Sequence, residues 1–140
     1  MSPPLGSSPT ILVVDDEPDV LTLVKLTLES AGYAVLAACD GQLALSLCEK
    51  RDYSIDLLLT DINMPHISGL ELACRVSEKV PHLPVIFMTG SRVDSPGIEF
   101  LMREGPFSDC KVMRKPFTSS ELLGEVTGSL SNVPLRMVTG

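Results

Sequence analysis

The chain has 140 residues, of which 44% are hydrophobic and 21% charged, and its formal net charge at pH 7 is −7. This length suits one domain with a single core, and the composition is globular rather than disordered. The acidic balance argues against nucleic acid or an anionic membrane as a direct partner, and no apolar run approaches the roughly 20 residues that span a bilayer.

Strand patterns alternate with helix patterns along the chain, which predicts a parallel sheet covered on both faces. Residues 1–9 are rich in Pro, Ser and Gly and lack the apolar centre of a signal peptide, so they are expected to form a flexible leader. The pattern predicts five strands, over residues 10–15, 33–38, 56–60, 85–88 and 110–114. It predicts five helices, over residues 18–31, 41–50, 70–80, 96–105 and 119–131.

Helix boundaries have local signals in the sequence. Pro18 suits the first turn of a helix, and Gly32 suits the residue just past its end. Thr118 and Glu121 have the spacing of a capping box at the start of the last helix.

Four of the predicted strands end in polar or charged residues, which are Asp15-Asp16, Asp61, Thr89 and Lys115-Pro116. The carboxyl ends of parallel strands meet at one edge of a sheet, where open α/β sheets bind ligands. Three carboxylates in one crevice repel, so one of them would take up a proton unless a cation were bound. Mg²⁺ prefers oxygen ligands, and a cation, an ammonium and a hydroxyl around a carboxylate nucleophile suit phosphoryl transfer.

Four motifs occur in order along the chain, namely Val13-Val14-Asp15-Asp16-Glu17-Pro18, Asp61-Ile62-Asn63-Met64-Pro65 with Gly69, Met88-Thr89-Gly90, and Lys115-Pro116-Phe117. Together they resemble the receiver domain of two-component response regulators. The resemblance covers about residues 9–131, and it is specific because every motif lies at a predicted strand end. It implies an α/β, flavodoxin-like, doubly wound sheet of five parallel strands in the order 2-1-3-4-5, with five helices.

The resemblance also implies roles for the acidic residues. Asp61 would accept a phosphoryl group from a phosphohistidine of a sensor histidine kinase or a histidine phosphotransfer protein. Mg²⁺ would be held directly by Asp16, by Asp61 and by the backbone carbonyl of Asn63, and through a water molecule by Asp15.

Two further side chains would bind the phosphoryl group. Thr89 would donate its hydroxyl to one oxygen and Lys115 would pair with another, while Pro116 would follow a cis peptide bond. The receiver unit is expected over residues 10–131, with a tail or the start of a linker over 132–140. The resemblance implies a cytoplasmic monomer or weak dimer that signals to an unknown downstream protein, and that catalyses only its own phosphorylation and dephosphorylation.

Two features depart from the family pattern. Val112 stands three positions before the lysine, where receivers commonly carry an aromatic residue, so output through that ring is not expected. The spacing from Thr89 to the lysine exceeds that of most members, with the extra residues near 106–109. Asn63 and Ser91, where the family tunes loss of the phosphoryl group, have side chains of modest size, which predicts a phosphorylated lifetime of minutes or less.

Three alternatives stay open from the residues alone. A flavin- or nucleotide-binding protein of the same fold would need a glycine-rich or hydroxyl-rich loop after the first strand, where this chain has Asp-Asp-Glu-Pro-Asp. A phosphatase with an aspartate nucleophile would have a second Asp two residues after Asp15, where Glu17 stands. A degenerate receiver that works by docking alone would usually lack the acids or the lysine.

Some polar residues are interpreted as structural. Glu17 and Asp19 are expected to be acids at a helix N-terminus rather than ligands. The four cysteines show no C-x-x-C spacing, and the two histidines are out of register with them. The cysteines are therefore interpreted as buried, reduced thiols rather than a zinc site.

Overall fold

Strands and helices alternate in the computed structural model, which describes residues 8–90 and 110–131. In chain order, its elements are β1 (Thr10–Val14), α1 (Pro18–Ser30), β2 (Ala34–Ala38), α2 (Gly41–Lys50), β3 (Leu57–Asp61), α3 (Gly69–Lys79), β4 (Val85–Thr89), β5 (Lys111–Arg114) and α4 (Ser119–Ser131). All five predicted strands and four of the predicted helices are confirmed, with ends close to those expected. The helix predicted over 96–105 lies outside the described residues.

The strands form one sheet in the order β2-β1-β3-β4-β5, and every neighbouring pair is parallel. This is the flavodoxin-like order that the resemblance implied. The central strands β1, β3 and β4 are almost wholly buried because helices cover both faces, whereas β2 is a partly exposed edge strand. The strand order reverses between β1 and β3, and an open α/β sheet has its ligand crevice at that point.

The strand side chains divide between two cores, one on each face of the sheet. Leu12, Leu58 and Phe87 point to the core that α2 and α3 cover. Their neighbours Ile11 and Leu59 point to the opposite core, which α1 and α4 cover. Each fully buried side chain of this size contributes about 1.5–3 kcal/mol to folding, so a shift in strand register would be costly. The residues that follow each strand are thereby held in fixed positions.

The helix boundaries follow from the local sequence. Pro18 is the first residue of α1, and Gly32 ends that helix with a φ of 98° and with its N–H donating to the Glu29 carbonyl at 3.0 Å. At the start of α4, the N–H of Glu121 donates to Thr118 Oγ1 at 3.0 Å, and the N–H of Thr118 donates to Glu121 Oε1 at 2.8 Å, which confirms the capping box. Within the described residues, no helix combines the length and the apolar character that crossing a membrane requires.

The cysteines differ in burial, contrary to the expectation that they are all buried. Cys48 on α2 lies in a core, whereas Cys39 and Cys74 are exposed. Cys39 follows the edge strand β2, and Cys74 lies on the solvent face of α3, so neither position turns its side chain toward the sheet.

Gly69, the first residue of α3, packs against the backbone at the end of β3. Its N–H donates to the Ile62 carbonyl at 2.8 Å. A Cβ at this position would overlap the carbonyl oxygen of Asp61 and would lie 3.0 Å from the Ile62 Cα. Because these are backbone atoms, they cannot rotate out of the way. The position therefore requires glycine, and it ties α3 to the strand end that carries Asp61.

We expect Gly69→Ala to lower the free energy of unfolding by about 1–3 kcal/mol, because the added methyl group pushes α3 away from β3. Urea unfolding measures this change. Gly124→Ala is the matched control: a Cβ at Gly124, on α4, would meet no atom within 4 Å. That substitution should raise the free energy of unfolding by roughly 0.5–1 kcal/mol through helix propensity. Equal stability of the two variants would contradict this account of Gly69.

Candidate functional site

The carboxyl ends of four strands carry the candidate site. Asp15 and Asp16 follow β1, Asp61 ends β3, Thr89 ends β4, and Lys115 follows β5. The Lys115 N–H donates to the Thr89 carbonyl at 2.8 Å, which joins the ends of β4 and β5. Asp15, Asp61 and Thr89 are buried. The carboxyl ends of these strands therefore meet, as the sequence pattern predicted.

The carboxylates of Asp15, Asp16 and Asp61 form a cluster, in which each offers an oxygen that lies within 4.8 Å of the others. Asp15 is fully buried, Asp61 is only 5% exposed, and Asp16 faces solvent. Oδ1 of Asp15 accepts a hydrogen bond from the Glu17 N–H at 2.9 Å. Its buried Oδ2 faces the Lys115 ammonium.

The Lys115 ammonium lies among these carboxylates. Nζ is 2.7 Å from Asp15 Oδ2, 2.9 Å from Glu17 Oε1 and 3.5 Å from Asp61 Oδ2. All three contacts are ion pairs, and the shortest of them joins Lys115 to Asp15. The peptide bond between Lys115 and Pro116 is cis, as predicted. Among the residues that the structure describes, one ammonium thus faces several carboxylates, and their summed charge is negative.

The electrostatic surroundings raise the pKa of Asp61 to about 6. Burial is the largest cause, since it disfavours the charged carboxylate. The Lys115 ammonium and the backbone N–H of Asn63 lower this pKa, while the charge of Asp15 and a side-chain hydrogen bond with Asp16 raise it. Asp61 is therefore ionised at neutral pH, but its ionisation costs more free energy in the folded chain than in the unfolded chain.

Lys115 responds to the same surroundings in the opposite direction. Burial alone would lower the pKa of its ammonium. Its contacts with Asp15 and Glu17, together with the charge of Asp61, outweigh burial and raise the pKa above its ordinary value. The lysine is consequently a permanent cation at neutral pH.

Glu17 lies at the N-terminus of α1, as expected, but its carboxylate also contacts the Lys115 ammonium. It is the N-cap residue of α1, but its side chain accepts no hydrogen bond from the helix. Its carboxylate contacts Lys115 instead, because the bond from its N–H to Asp15 holds the residue beside the ammonium. The signal in the sequence was an acid placed directly after the acidic pair. Asp19 does lie in the first turn of α1, as expected.

The other residues that the sequence singled out are Asn63, Val112, Ser91 and the extra residues near 106–109. Asn63 lies in the exposed loop after β3, and the role of its carbonyl as a metal ligand stays a prediction. Val112 pairs with Phe87 in the register of β5 and β4, and it is 37% exposed. Ser91 and the extra residues near 106–109 lie outside the described residues.

The raised pKa of Asp61 predicts a pH dependence of stability in metal-free buffer. The folded chain holds this proton more tightly than the unfolded chain, so the contribution of Asp61 to stability is fully present below pH 3.8 and is lost as the pH rises through about 6. Asparagine cannot ionise, so the Asp61→Asn variant does not lose this contribution to stability as the pH rises. We expect the variant to lie close to the parent chain near pH 4 and to exceed its free energy of unfolding by about 3 kcal/mol at pH 7.

Thermal unfolding in EDTA across this pH range measures the difference. Asp52→Asn is the control, because Asp52 is exposed and its positive φ of 54° suits asparagine. If the parent chain instead became more stable relative to the Asp61→Asn variant as the pH rises from 4 to 7, the pKa of Asp61 would not be raised.

Known proteins share this sequence pattern and this fold. The family model of the response regulator receiver domain matches residues 11–127. The chain is similar to the uncharacterized transcriptional regulatory protein YrkP of Bacillus subtilis (strain 168), with 38% identity over 120 residues that cover 86% of this chain and 48% of YrkP. It is also similar to the response regulator receiver protein CpdR of Brucella abortus (strain 2308), with 35% identity over 83% of this chain and 92% of CpdR.

Solved structures agree with these sequence relatives. The crystal structure of a response regulator receiver domain protein from Clostridium thermocellum has a TM-score of 0.76 and 32% identity to this chain, and the match covers 88% of this chain and 94% of that one. The receiver domain of the hybrid histidine kinase CckA has a TM-score of 0.69 at 30% identity, covering 86% and 98% of the two chains. The chain spans about half the length of YrkP and of other regulators that it matches.

Proposed function

Because the chain belongs to the response regulator receiver domain family, we propose that it accepts a phosphoryl group on Asp61 from a phosphohistidine. The donor would be a sensor histidine kinase or a histidine phosphotransfer protein. The observation that carries the proposal is the placement of the Asp61 carboxylate within 3.5 Å of the Lys115 ammonium and beside two further acids.

Asp61 has the properties of a carboxylate nucleophile. Its side chain is 8% exposed, which leaves a narrow approach from solvent, and a pKa of about 6 keeps it ionised at neutral pH. One of its oxygens would form the new bond to phosphorus. The P–N bond of the donor would break, and its electron pair would stay on the imidazole nitrogen, where a proton is taken up.

Lys115 and Thr89 are proposed to stabilise the charge on the phosphoryl oxygens. The Lys115 ammonium already contacts Asp61, so a phosphoryl group carried on Asp61 would lie within its reach. Thr89 ends the adjacent strand, and its carbonyl fixes the backbone of Lys115. We assign its hydroxyl to a second phosphoryl oxygen. These two residues would form no covalent bond in the reaction, since phosphoryl transfer depends mostly on the positioning of the reacting groups and on the stabilisation of charge.

The acidic cluster also fits a divalent cation. Its three carboxylates each offer an oxygen, and these oxygens lie within 4.8 Å of one another. Such hard oxygen donors suit Mg²⁺. We propose that Asp16, Asp61 and the Asn63 carbonyl hold the ion, with Asp15 acting through a water molecule. When bound, Mg²⁺ supplies positive charge that offsets the carboxylates and the phosphoryl oxygens.

The phosphorylated chain is proposed to relay the signal through protein–protein contacts in the cytoplasm, with residues 10–131 as the receiver unit. It would act as a monomer or weak dimer on an unknown downstream protein. Its chemistry would be limited to its own phosphorylation and dephosphorylation. The competing possibility is a receiver that works by docking alone, and phosphorylation distinguishes the two.

Acetyl phosphate and Mg²⁺ should add one phosphoryl group to the parent chain and none to Asp61→Asn, because the amide is a poor nucleophile. Intact-protein mass spectrometry measures the addition. Asp52→Asn removes an exposed carboxylate in the same way and should be labelled like the parent chain. Undiminished labelling of Asp61→Asn would reject the assignment, and a folded parent chain that takes up no label would favour docking alone.

The Lys115→Ala variant should still be labelled to a measurable extent, but labelling should change its structure less than that of the parent chain. The substitution leaves the nucleophile in place and removes the cation that joins β5 to the phosphoryl group. Amide chemical shifts before and after labelling measure the response, and residues of β5 should change less in the variant than in the parent chain. A response of the same size in both proteins would show that the lysine does not couple the site to β5.

A further inference from the structure

The Lys115 ammonium is shared unevenly among its carboxylate partners. It lies 2.7 Å from Asp15 and 2.9 Å from Glu17, but 3.5 Å from Asp61. The strongest contacts of the lysine are therefore with the β1 side of the crevice rather than with the proposed phosphoacceptor. A phosphoryl group on Asp61 would have to draw the ammonium away from that side.

Glu17 is held in place for this contact by its backbone. Its N–H donates to Asp15 at 2.9 Å, and its carbonyl accepts from the Leu21 N–H at 3.0 Å in the first turn of α1. The side chains that accept hydrogen bonds from the helix N–H groups at an N-cap are chiefly those of Ser, Thr, Asp and Asn, and glutamate is not among them. Here the side chain makes no such bond and contacts Lys115 instead. The ammonium is thus the partner that this carboxylate prefers.

We propose that Glu17 is a positioning residue that holds the Lys115 ammonium back from Asp61 in the unphosphorylated chain and releases it when Asp61 is phosphorylated. The inference rests on the proposed function. A phosphoryl group carries close to two negative charges and several strong acceptor oxygens, so it attracts the ammonium more strongly than the Asp61 carboxylate does.

The two carboxylates on the β1 side differ in how easily they can lose the ammonium. The Glu17 side chain is 60% exposed, so water can solvate its carboxylate at little cost once the contact breaks. The Asp15 side chain is fully buried, and leaving its charge unpaired would be expensive. Glu17 is therefore the partner that releases the lysine, while Asp15 remains its fixed counter-ion.

The first test measures the contact itself in metal-free protein. Thermal unfolding in EDTA is compared for the parent chain, Glu17→Gln, Lys115→Ala and the double variant. The contact predicts that the effect of Glu17→Gln on the melting temperature differs between the parent and the Lys115→Ala background. Identical effects in the two backgrounds would show that the two side chains do not interact and would overturn the inference.

The second test measures the rate of labelling by acetyl phosphate at saturating Mg²⁺. Glu17→Gln should be labelled about twofold to fivefold faster than the parent chain, the range that corresponds to an exposed ion pair. Asp19→Asn is the matched control, since Asp19 is an exposed acid in the first turn of the same helix. It removes the same charge and should change the rate less.

The Lys115→Ala background separates positioning from a general effect of charge. There, Glu17→Gln should change the labelling rate no more than Asp19→Asn does. Two outcomes would overturn the inference while leaving the proposed function intact. In one, Glu17→Gln still raises the labelling rate in the Lys115→Ala background. In the other, Glu17→Gln is labelled no faster than Asp19→Asn in the parent background. A folded parent chain that takes up no label would instead remove the proposed function, and the inference with it.

Discussion

In the described part of the chain, several carboxylates meet one ammonium at the edge of the sheet, and the backbones that carry them are fixed by the strands. Asp15 and Asp61 are buried directly at the ends of β1 and β3, and Lys115 directly follows β5. Burying unpaired charge is costly, so the lysine lowers the free-energy cost of holding the carboxylates there. The ammonium cannot neutralise every carboxylate, so an imbalance of negative charge remains, and burial together with the charge of Asp15 raises the pKa of Asp61. This imbalance is what a metal ion and a phosphoryl donor would act on.

The rest of the fold keeps that imbalance in place. Two cores fix the register of the strands, so the strand ends cannot slide apart to relieve repulsion. Gly69 packs α3 against the backbone of Asp61, and the Lys115 N–H bonds to the end of β4. The site is therefore rigid in its backbone while the ammonium can change partners. Glu17 adds the exposed partner that makes such a change inexpensive.

The sequence predicted the fold and which strand-end side chains lie together, because the causes of both are local or follow from strand register. The apolar run before Asp15 defines a buried strand, and the spacing of Thr118 and Glu121 defines a helix start. Partner choice across the fold had no such signal. Glu17 and Lys115 are 98 residues apart in sequence, and only the folded chain brings them together. The pKa of Asp61 likewise depends on burial and on charges from separate strands, which no sequence pattern displays.

The central claim is that excess negative charge at this edge of the sheet creates a site for a divalent cation. Thermal unfolding at pH 7 during a Mg²⁺ titration tests it directly, because a ligand that binds the folded chain raises its melting temperature by mass action. The account predicts a steady rise for the parent chain and almost none for a variant that combines Asp16→Asn with Asp61→Asn. No rise for the parent chain, or the same rise for both proteins, would contradict it.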